Sequence, residues 1–202
     1  MLRMARREKG ATVQPKELRL SGPILSSAYS IDALARAVKI LAFVCFTGIS
    51  AQLAVHLPFT PVPVTMQTLL VVLAGATLGA RDGFYAMLSY LAFGLAGAPV
   101  FAGFHCGPAA LLGPTGGYLV SFPAAALLTG YVSENLRSSR TAVFIASLCG
   151  MALILLSGAS YLALISGVSF GRAASLAIVP FVAGELVKAL IAVFIVGKKS
   201  DR

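Results

Sequence analysis

The chain has 202 residues, of which 58% are hydrophobic and only 11% are charged, and its formal net charge is +9. A soluble domain has about a quarter of its residues charged, so this composition excludes an ordinary water-soluble globular protein and indicates that lipid is the solvent. The three cysteines, Cys45, Cys106 and Cys149, lie in apolar surroundings without CxxC spacing. They are interpreted as small hydrophobic residues and not as a disulfide or metal set.

Six apolar segments are candidate membrane-spanning helices. They cover about residues 37–57, 64–80, 83–99, 114–133, 141–165 and 178–197. A spanning helix needs about 20 residues, and about 17 is the lower limit. The sequence therefore predicts an all-α integral membrane protein with six transmembrane helices. Its membrane domain is expected at residues 33–197, between an N-terminal tail of residues 1–32 and a C-terminal tail of residues 198–202.

The positions of the charged residues predict the orientation. With six spans and both termini in the cytoplasm, every basic residue except Arg172 and Lys188 lies on the cytoplasmic side, as does every acidic residue except Glu185. Lysine and arginine are enriched in cytoplasmic loops, and an odd number of spans would spoil this segregation. The net charge is therefore attributed to topology and to contact with anionic lipid, and no nucleic-acid partner is expected.

A proline-rich segment separates the first two candidate helices. Residues 57–70 read LPFTPVPVTMQTLL, with three prolines in six positions. Proline removes a backbone donor and clashes with the preceding helical turn, so the segment is predicted to be an extended turn. We expect it to form an outer lid over a ligand site, with Thr65 and Gln67 near the ligand. A short solvent-facing connector is the alternative.

The segment from Gly94 to Tyr118 is rich in glycine and contains three prolines. A loop of this length is uncommon unless it is functional. Its end, GPTGGY at residues 113–118, is predicted to open the fourth candidate helix. Free backbone N–H groups and the positive end of the helix dipole then face the outer side, which suits a carboxylate. The alternative for each single glycine is a packing seam between close helices.

Two charged residues, Glu185 and Lys188, fall inside the last candidate helix. Each costs on the order of 3 kcal/mol at the centre of a membrane helix. Because they are three residues apart, they project from nearly the same helical face and partly neutralise each other. The pattern indicates a polar site for a ligand bound from outside, and a structural ion pair that fixes helix packing is the alternative.

Three stretches in chain order carry a family resemblance. They are FTPVPVTMQTL (59–69), PVFAG followed by GPTGGYL (99–103 and 113–119), and PFVAGELVKA (180–189). Together they resemble the BioY family, the biotin-binding S components of energy-coupling-factor (ECF) vitamin transporters. The resemblance runs from about Ala33 to Ala192. It implies a six-helix S-component fold, biotin uptake through the bacterial cytoplasmic membrane, and an ECF module made of a transmembrane coupling protein and two ATPases.

The resemblance also implies a set of substrate-binding residues. By motif match, Glu185 and Lys188 are the pair that the family places against the bicyclic head of biotin. A buried carboxylate can accept the ureido N–H groups, and an ammonium can donate to the carbonyl. The full expected set is Glu185, Lys188, Thr65, Gln67, Phe101, Gly116, Gly117 and Tyr118.

The partner of the ligand's valeryl carboxylate stays open at this point. Gly116, Gly117, Tyr118 and His105 are the candidates. The chain departs from the family pattern in two places. It has glutamate where aspartate is common, so the ligand head is expected one methylene farther from the helix, and it has no arginine or asparagine in the loop of residues 98–117.

Energy coupling is expected to come from other chains. Residues 197–200, GKKS, are the nearest match to a P-loop, but Ala192 stands where the first glycine is needed. The protein is therefore not expected to be an enzyme or to hold a cofactor, and ATP is expected to be used by partner subunits. Ala33 and Ala37 resemble the AxxxA patch that docks such subunits on the coupling protein; an ordinary intramolecular helix contact is the alternative.

Two other functions are weighed. The stretch GASY at residues 158–161 resembles the Gly-x-Ser-Gly motif of rhomboid intramembrane serine proteases. Tyr161 replaces the final glycine, however, and no histidine follows the serine in the sequence. The second alternative is the same architecture serving a different vitamin.

The predicted topology is tested by thiol labelling in intact cells of a variant whose native cysteines are replaced. A cysteine introduced by Ser138→Cys should resist a membrane-impermeant reagent, whereas one introduced by Phe104→Cys should react unless ligand or lid covers it. Labelling at position 138 together with a protected C-terminal tag contradicts the six-span scheme.

Overall fold

The computed structural model describes residues 23–136 and 139–200, and the side-chain surroundings of residues 31–136 and 139–196. Its helices are α1 (Pro23–Gln52), α2 (Gln67–Leu78), α3 (Ala80–Leu95), α4 (Pro108–Leu112), α5 (Gly116–Asn135), α6 (Arg140–Ser166), α7 (Phe170–Ala177) and α8 (Val182–Ser200). The chain forms two compact units, Met1–Ala35 and Arg36–Arg202. The described part of the first unit is the start of α1, and the second unit contains the remaining elements.

Helix α2 lies at the centre of the second unit. It packs against α3, α5, α6 and α8, and its Val71, Val72 and Ala74 are fully buried. Burial extends around most of this apolar helix, which explains why its sequence lacks amphipathic periodicity. The six predicted spans correspond to α1, α2, α3, α5, α6 and α8 in chain order, although α1 begins at Pro23, well before residue 37.

Small residues bring α2, α3 and α5 close together. A Cβ atom added at Gly75 would collide with the carbonyl oxygen of Ala126, and one added at Gly130 would collide with the backbone of Ala80. Without side chains at these positions, helix backbones approach closely, as is common between membrane helices. The seam holds α2 in a fixed register, and α2 carries part of the site described below.

The proline-rich segment forms the connection between α1 and α2, as predicted. Its two ends are joined by an isolated antiparallel bridge, in which Val55 N–H donates to Val64 O at 2.8 Å and Val64 N–H donates to Val55 O at 2.9 Å. The prolines inside the loop leave few backbone donors to be satisfied. The bridge therefore closes a compact loop whose residues Val62 and Pro63 return to the helix bundle.

The loop between α3 and α5 contains a turn of 3-10 helix, Ala102–Phe104, and helix α4. The Gln52 side chain holds it from the end of α1, because its amide N–H donates to Phe101 O at 3.1 Å and its amide oxygen accepts from Phe104 N–H at 3.0 Å. Tyr90 OH donates to Val100 O at 2.8 Å. These contacts give the long loop a defined position above the bundle.

Two of the described helices are long and apolar enough to cross a membrane by themselves, α1 from Ile31 to Gln52 and α6. A third span results if α7 and α8, which are bent by 53° at their junction, are counted as one. Helix α2 has 12 residues, so it is only about 18 Å long, shorter than the ~30 Å hydrocarbon core. The predicted all-helical fold is confirmed, and the number of spans stays a prediction.

Candidate ligand-binding site

A buried ion pair lies in the first turns of α8. Glu185 and Lys188 are 5% and 4% exposed, and Lys188 Nζ lies 2.7 Å from Glu185 Oε1. The helix begins at Val182, two residues after Pro180, whose ring ends the preceding turn. The spacing of three residues places both side chains on one face, as the sequence predicts, and this face is directed toward α2.

The hydroxyl of Thr68 on α2 completes a closed triangle with the pair. It donates to Glu185 Oε1 at 3.0 Å and accepts from Lys188 Nζ at 2.9 Å. A hydroxyl can do both at once because it carries one donor and two acceptor positions. Thr68 therefore fixes the two charged groups relative to each other and joins α8 to the central helix.

The triangle leaves two hydrogen-bonding positions unused. Within the described part of the chain, the second carboxylate oxygen of Glu185, Oε2, is buried and has no partner. An ammonium group has three N–H donors, and Lys188 uses one on Glu185 and one on Thr68. An unsatisfied buried acceptor costs about 1–3 kcal/mol, and more when it is charged. A ligand that supplies one donor and one acceptor side by side would satisfy both positions.

These groups line an enclosed cavity, here called the inner cavity. It is narrow, with a volume of about 40 Å³. Thr68, Glu185 and Lys188 form its charged wall, and Phe122, Leu155, Phe181 and Leu119 form an apolar wall from α5, α6 and the turn before α8. Val62, Pro63, Ala102 and Thr115 line it from the loops. A ring system that has one polar edge and an apolar face would match the charged wall and the apolar wall of this cavity.

Three further residues of the expected set line the inner cavity: Thr65, Gln67 and Tyr118. Thr65 OH donates to the Gln67 side-chain oxygen at 3.1 Å, and the Gln67 side-chain N–H donates to Tyr90 OH at 2.7 Å. Tyr118 OH donates to Ala177 O at 2.7 Å. Their polar groups are thus held by protein partners, which fixes the shape of the cavity.

The other three residues of the expected set do not line the inner cavity. They are Phe101, Gly116 and Gly117. The Phe101 ring is buried against Gly94 and lies edge-on to the ring of Tyr90. A Cβ at Gly116 would collide with the carbonyl oxygen of Leu111, and a Cβ at Gly117 would collide with Tyr161. The two glycines therefore form a packing seam between helices, which was the alternative interpretation of the glycine-rich segment.

The structure also places the other residues that the sequence analysis weighed. His105 is exposed and lines a second cavity, nearer the outer loops, together with Phe101. Ser160, of the protease-like motif, is exposed on α6, and the neighbouring Gly158 packs against the ring of Tyr118. The GASY motif is thus part of helix packing.

The two alanines of the AxxxA patch, Ala33 and Ala37, are both exposed.

Several residues that line the inner cavity were missed by the sequence analysis. Thr68 was overlooked, although a threonine inside a charge-free helix next to Gln67 is a weak signal of a polar face. Phe122, Leu155 and Phe181 were overlooked because apolar residues that line a cavity have the same sequence pattern as those that face lipid. Thr115, the residue before α5, was within the predicted helix opening but was not named.

Comparisons with known proteins agree on one family. Residues 21–201 match the BioY family. The chain is 41% identical to the probable biotin transporter BioY of Pyrococcus horikoshii, over 80% of this chain and 94% of that protein. It is 36% identical to the biotin transporter BioY2 of Lactococcus lactis subsp. cremoris, over 81% of this chain and 85% of that protein.

A solved structure has the same fold. It is the crystal structure of the S-component for biotin from an ECF-type ABC transporter, which is 26% identical in sequence with a TM-score of 0.77. The superposition covers 85% of this chain and 93% of that one. The family match covers most of the chain, and these relatives are more than 30% identical to it. Both findings assign the chain to the same family. This chain belongs to the BioY family.

Proposed function

We propose that the protein is the biotin-binding S-component of an ECF-type transporter and serves biotin uptake. The protein is a transporter component and not an enzyme, in agreement with its relatives. The structural observation that supports a biotin site is the triangle of Glu185, Lys188 and Thr68, which lies in the wall of the inner cavity. Within a BioY-family chain, this triangle offers one hydrogen-bond acceptor and one donor to the ureido ring of biotin.

The ureido ring of biotin matches the unused capacity of the triangle. A cyclic urea has an N–H and a C=O side by side on one edge. In our proposal the N–H donates to Glu185 Oε2, which has no partner among the described residues, and the carbonyl accepts the third N–H of Lys188. Both are charge-assisted hydrogen bonds in a dry site, worth about twice a neutral one. The apolar sulfur ring then lies against Phe122 and Phe181.

The proline-rich loop is proposed to be the lid of this site. Val62 and Pro63 line the inner cavity, and the Val55–Val64 bridge makes the loop one compact body. The inner cavity of about 40 Å³ is far below the roughly 300–1,000 Å³ of ordinary ligand pockets. Biotin therefore enters only when the lining elements separate.

The chain is a membrane protein, and we propose that it crosses the bacterial cytoplasmic membrane six times with both termini inside. The basic-residue distribution supports this orientation. Large exposed side chains such as Phe46, Ile49 and Phe194, which are 57%, 64% and 80% exposed, suit contact with lipid. The membrane domain is proposed to extend over residues 33–197.

The proposed partner is an ECF module, composed of a transmembrane coupling protein and two ATPases that hydrolyse ATP. Ala33 and Ala37 are the proposed contacts with the coupling protein, and both are exposed, as such a contact requires. Small side chains allow the backbone of a partner helix to approach closely. In this proposal the chain itself holds no cofactor, and biotin is its transported substrate.

Replacing Glu185 with glutamine tests the charged acceptor. Glu185→Gln keeps the size of the side chain but replaces an anionic oxygen by an amide and leaves Lys188 without its counter-charge. We expect the affinity for biotin to fall at least about tenfold, equivalent to ~1.5 kcal/mol, the low end for a charged hydrogen bond. The measurement is equilibrium binding of labelled biotin by the purified protein.

Glu134→Gln is the matched control for this change. The Glu134 side chain accepts from Ala80 N–H at 2.9 Å and does not line the inner cavity, and an amide oxygen can accept the same bond. Its affinity for biotin should equal that of the parent. Parental binding by both Glu185→Gln and Lys188→Met would place the biotin site elsewhere.

Replacing Thr68 with valine tests the third member of the triangle. Thr68→Val keeps the shape but removes the hydroxyl, so that the charged pair loses its shared partner, and we expect about a tenfold loss of affinity. Thr68→Ser should bind biotin like the parent, because it retains the hydroxyl. Thr129→Val is the control, since Thr129 is fully buried and donates within α5 to Ala125 O. Equal binding by Thr68→Val and Thr68→Ser would contradict the role of the hydroxyl.

A further inference from the structure

A second cavity lies between the proline-rich loop and the loop around α4. This outer cavity has a volume of about 300 Å³, against about 40 Å³ for the inner cavity. The two cavities share three lining residues, Pro63, Ala102 and Thr115. They are therefore neighbours, with a charged inner wall at one end and the loops at the other.

The lining of the outer cavity contains no lysine, arginine, aspartate or glutamate among the residues that the structure describes. Its polar side chains are those of His56, His105, Cys106 and Thr115. The two basic residues outside the predicted cytoplasmic side, Lys188 and Arg172, do not line this cavity. Lys188 is held in the inner cavity by Glu185 and Thr68, and Arg172 on α7 lines neither cavity.

Neither His105 nor the start of α5 supplies a fixed cation to this cavity. His105 Nδ1 lies 2.7 Å from Ala102 O. A carbonyl oxygen only accepts, so Nδ1 carries a proton in this contact, and the other ring nitrogen of such a tautomer is an acceptor. At the start of α5, Gly116 N–H donates to Gly113 O, and the N–H groups of Tyr118 and Leu119 donate to Thr115 O. These three donors are already used within the chain, and the remaining N–H of this turn, that of Gly117, is a neutral donor and not a cation.

We propose that the outer cavity receives the carboxyl end of the ligand without recognising its charge, so that the protein binds neutral carboxamides of biotin as well as biotin itself. The inference rests on the proposed function, which places the ureido head against Glu185 and Lys188. With the head there, the valeryl chain leads past Thr115 into the outer cavity. No charged side chain of the described residues meets its end, and the ligand class is set by the bicyclic head.

Equilibrium binding of biotin and of biotinamide to the purified parent protein tests the proposal. The assay is run at about pH 8, where an ordinary imidazole is neutral. The expected affinities agree within about threefold, because a fixed cation would favour the acid by about tenfold or more. Biotin binding at least tenfold tighter than biotinamide overturns the inference while leaving the proposed function intact. If neither ligand binds, the proposed function fails and the inference fails with it.

A cation introduced into the outer cavity provides the positive control. Ala109 lines this cavity and is exposed on the short helix α4, so a longer side chain there does not disturb the core. Ala109→Arg should make biotin bind about tenfold tighter than biotinamide, since a guanidinium pairs with the carboxylate. Ala109→Gln, which lengthens the side chain without adding charge, should leave the ratio near that of the parent. An unchanged ratio in Ala109→Arg overturns the placement of the carboxyl end.

Discussion

The ion pair of Glu185 and Lys188 is the interaction on which the rest of the site depends. Two charges inside an apolar membrane helix are costly, and their mutual attraction rarely repays the loss of hydration. Here the shared hydroxyl of Thr68 reduces the cost by satisfying both groups at once. The pair is nevertheless incomplete, because Glu185 Oε2 is buried without a partner among the described residues. In a purely structural pair this unpaired oxygen only costs stability, whereas a ureido N–H would satisfy it.

The helix bundle holds the pair of Glu185 and Lys188 in position. Helix α2 supplies Thr68 and packs against α3, α5, α6 and α8. The close approach at Gly75 and Gly130 prevents α2 from sliding along its neighbours. The loops that cover the site are held by hydrogen bonds such as those of Gln52 to Phe101 and Phe104. The bundle thus positions the ligand head, and these loops lie where the ligand has to enter.

Much of this arrangement is predictable from the sequence. Charged residues inside an apolar helix are rare, so the sequence alone indicates Glu185 and Lys188 as candidate site residues. Their spacing of three residues fixes a common face. The proline cluster likewise predicts a helix break. Phe122 and Phe181 could not be predicted, because in lipid both the outer and the inner faces of a helix are apolar. Gly116 and Gly117 were assigned to the ligand because they open a predicted helix, and the sequence does not show that Leu111 and Tyr161 pack against them. Thr68 acquires its role only from the approach of α2 to α8, which no local pattern encodes.

The most direct test of the account is the removal of the whole ion pair. In a variant with Glu185→Leu and Lys188→Met, no charge is left unpaired, and apolar side chains of similar size fill the space. Thermal unfolding and labelled-biotin binding are measured on the same purified sample. The account predicts a protein at least as stable as the parent, because a buried pair is often replaced by apolar residues without loss, and one that no longer binds biotin. A stable double variant that binds biotin with parental affinity would contradict it.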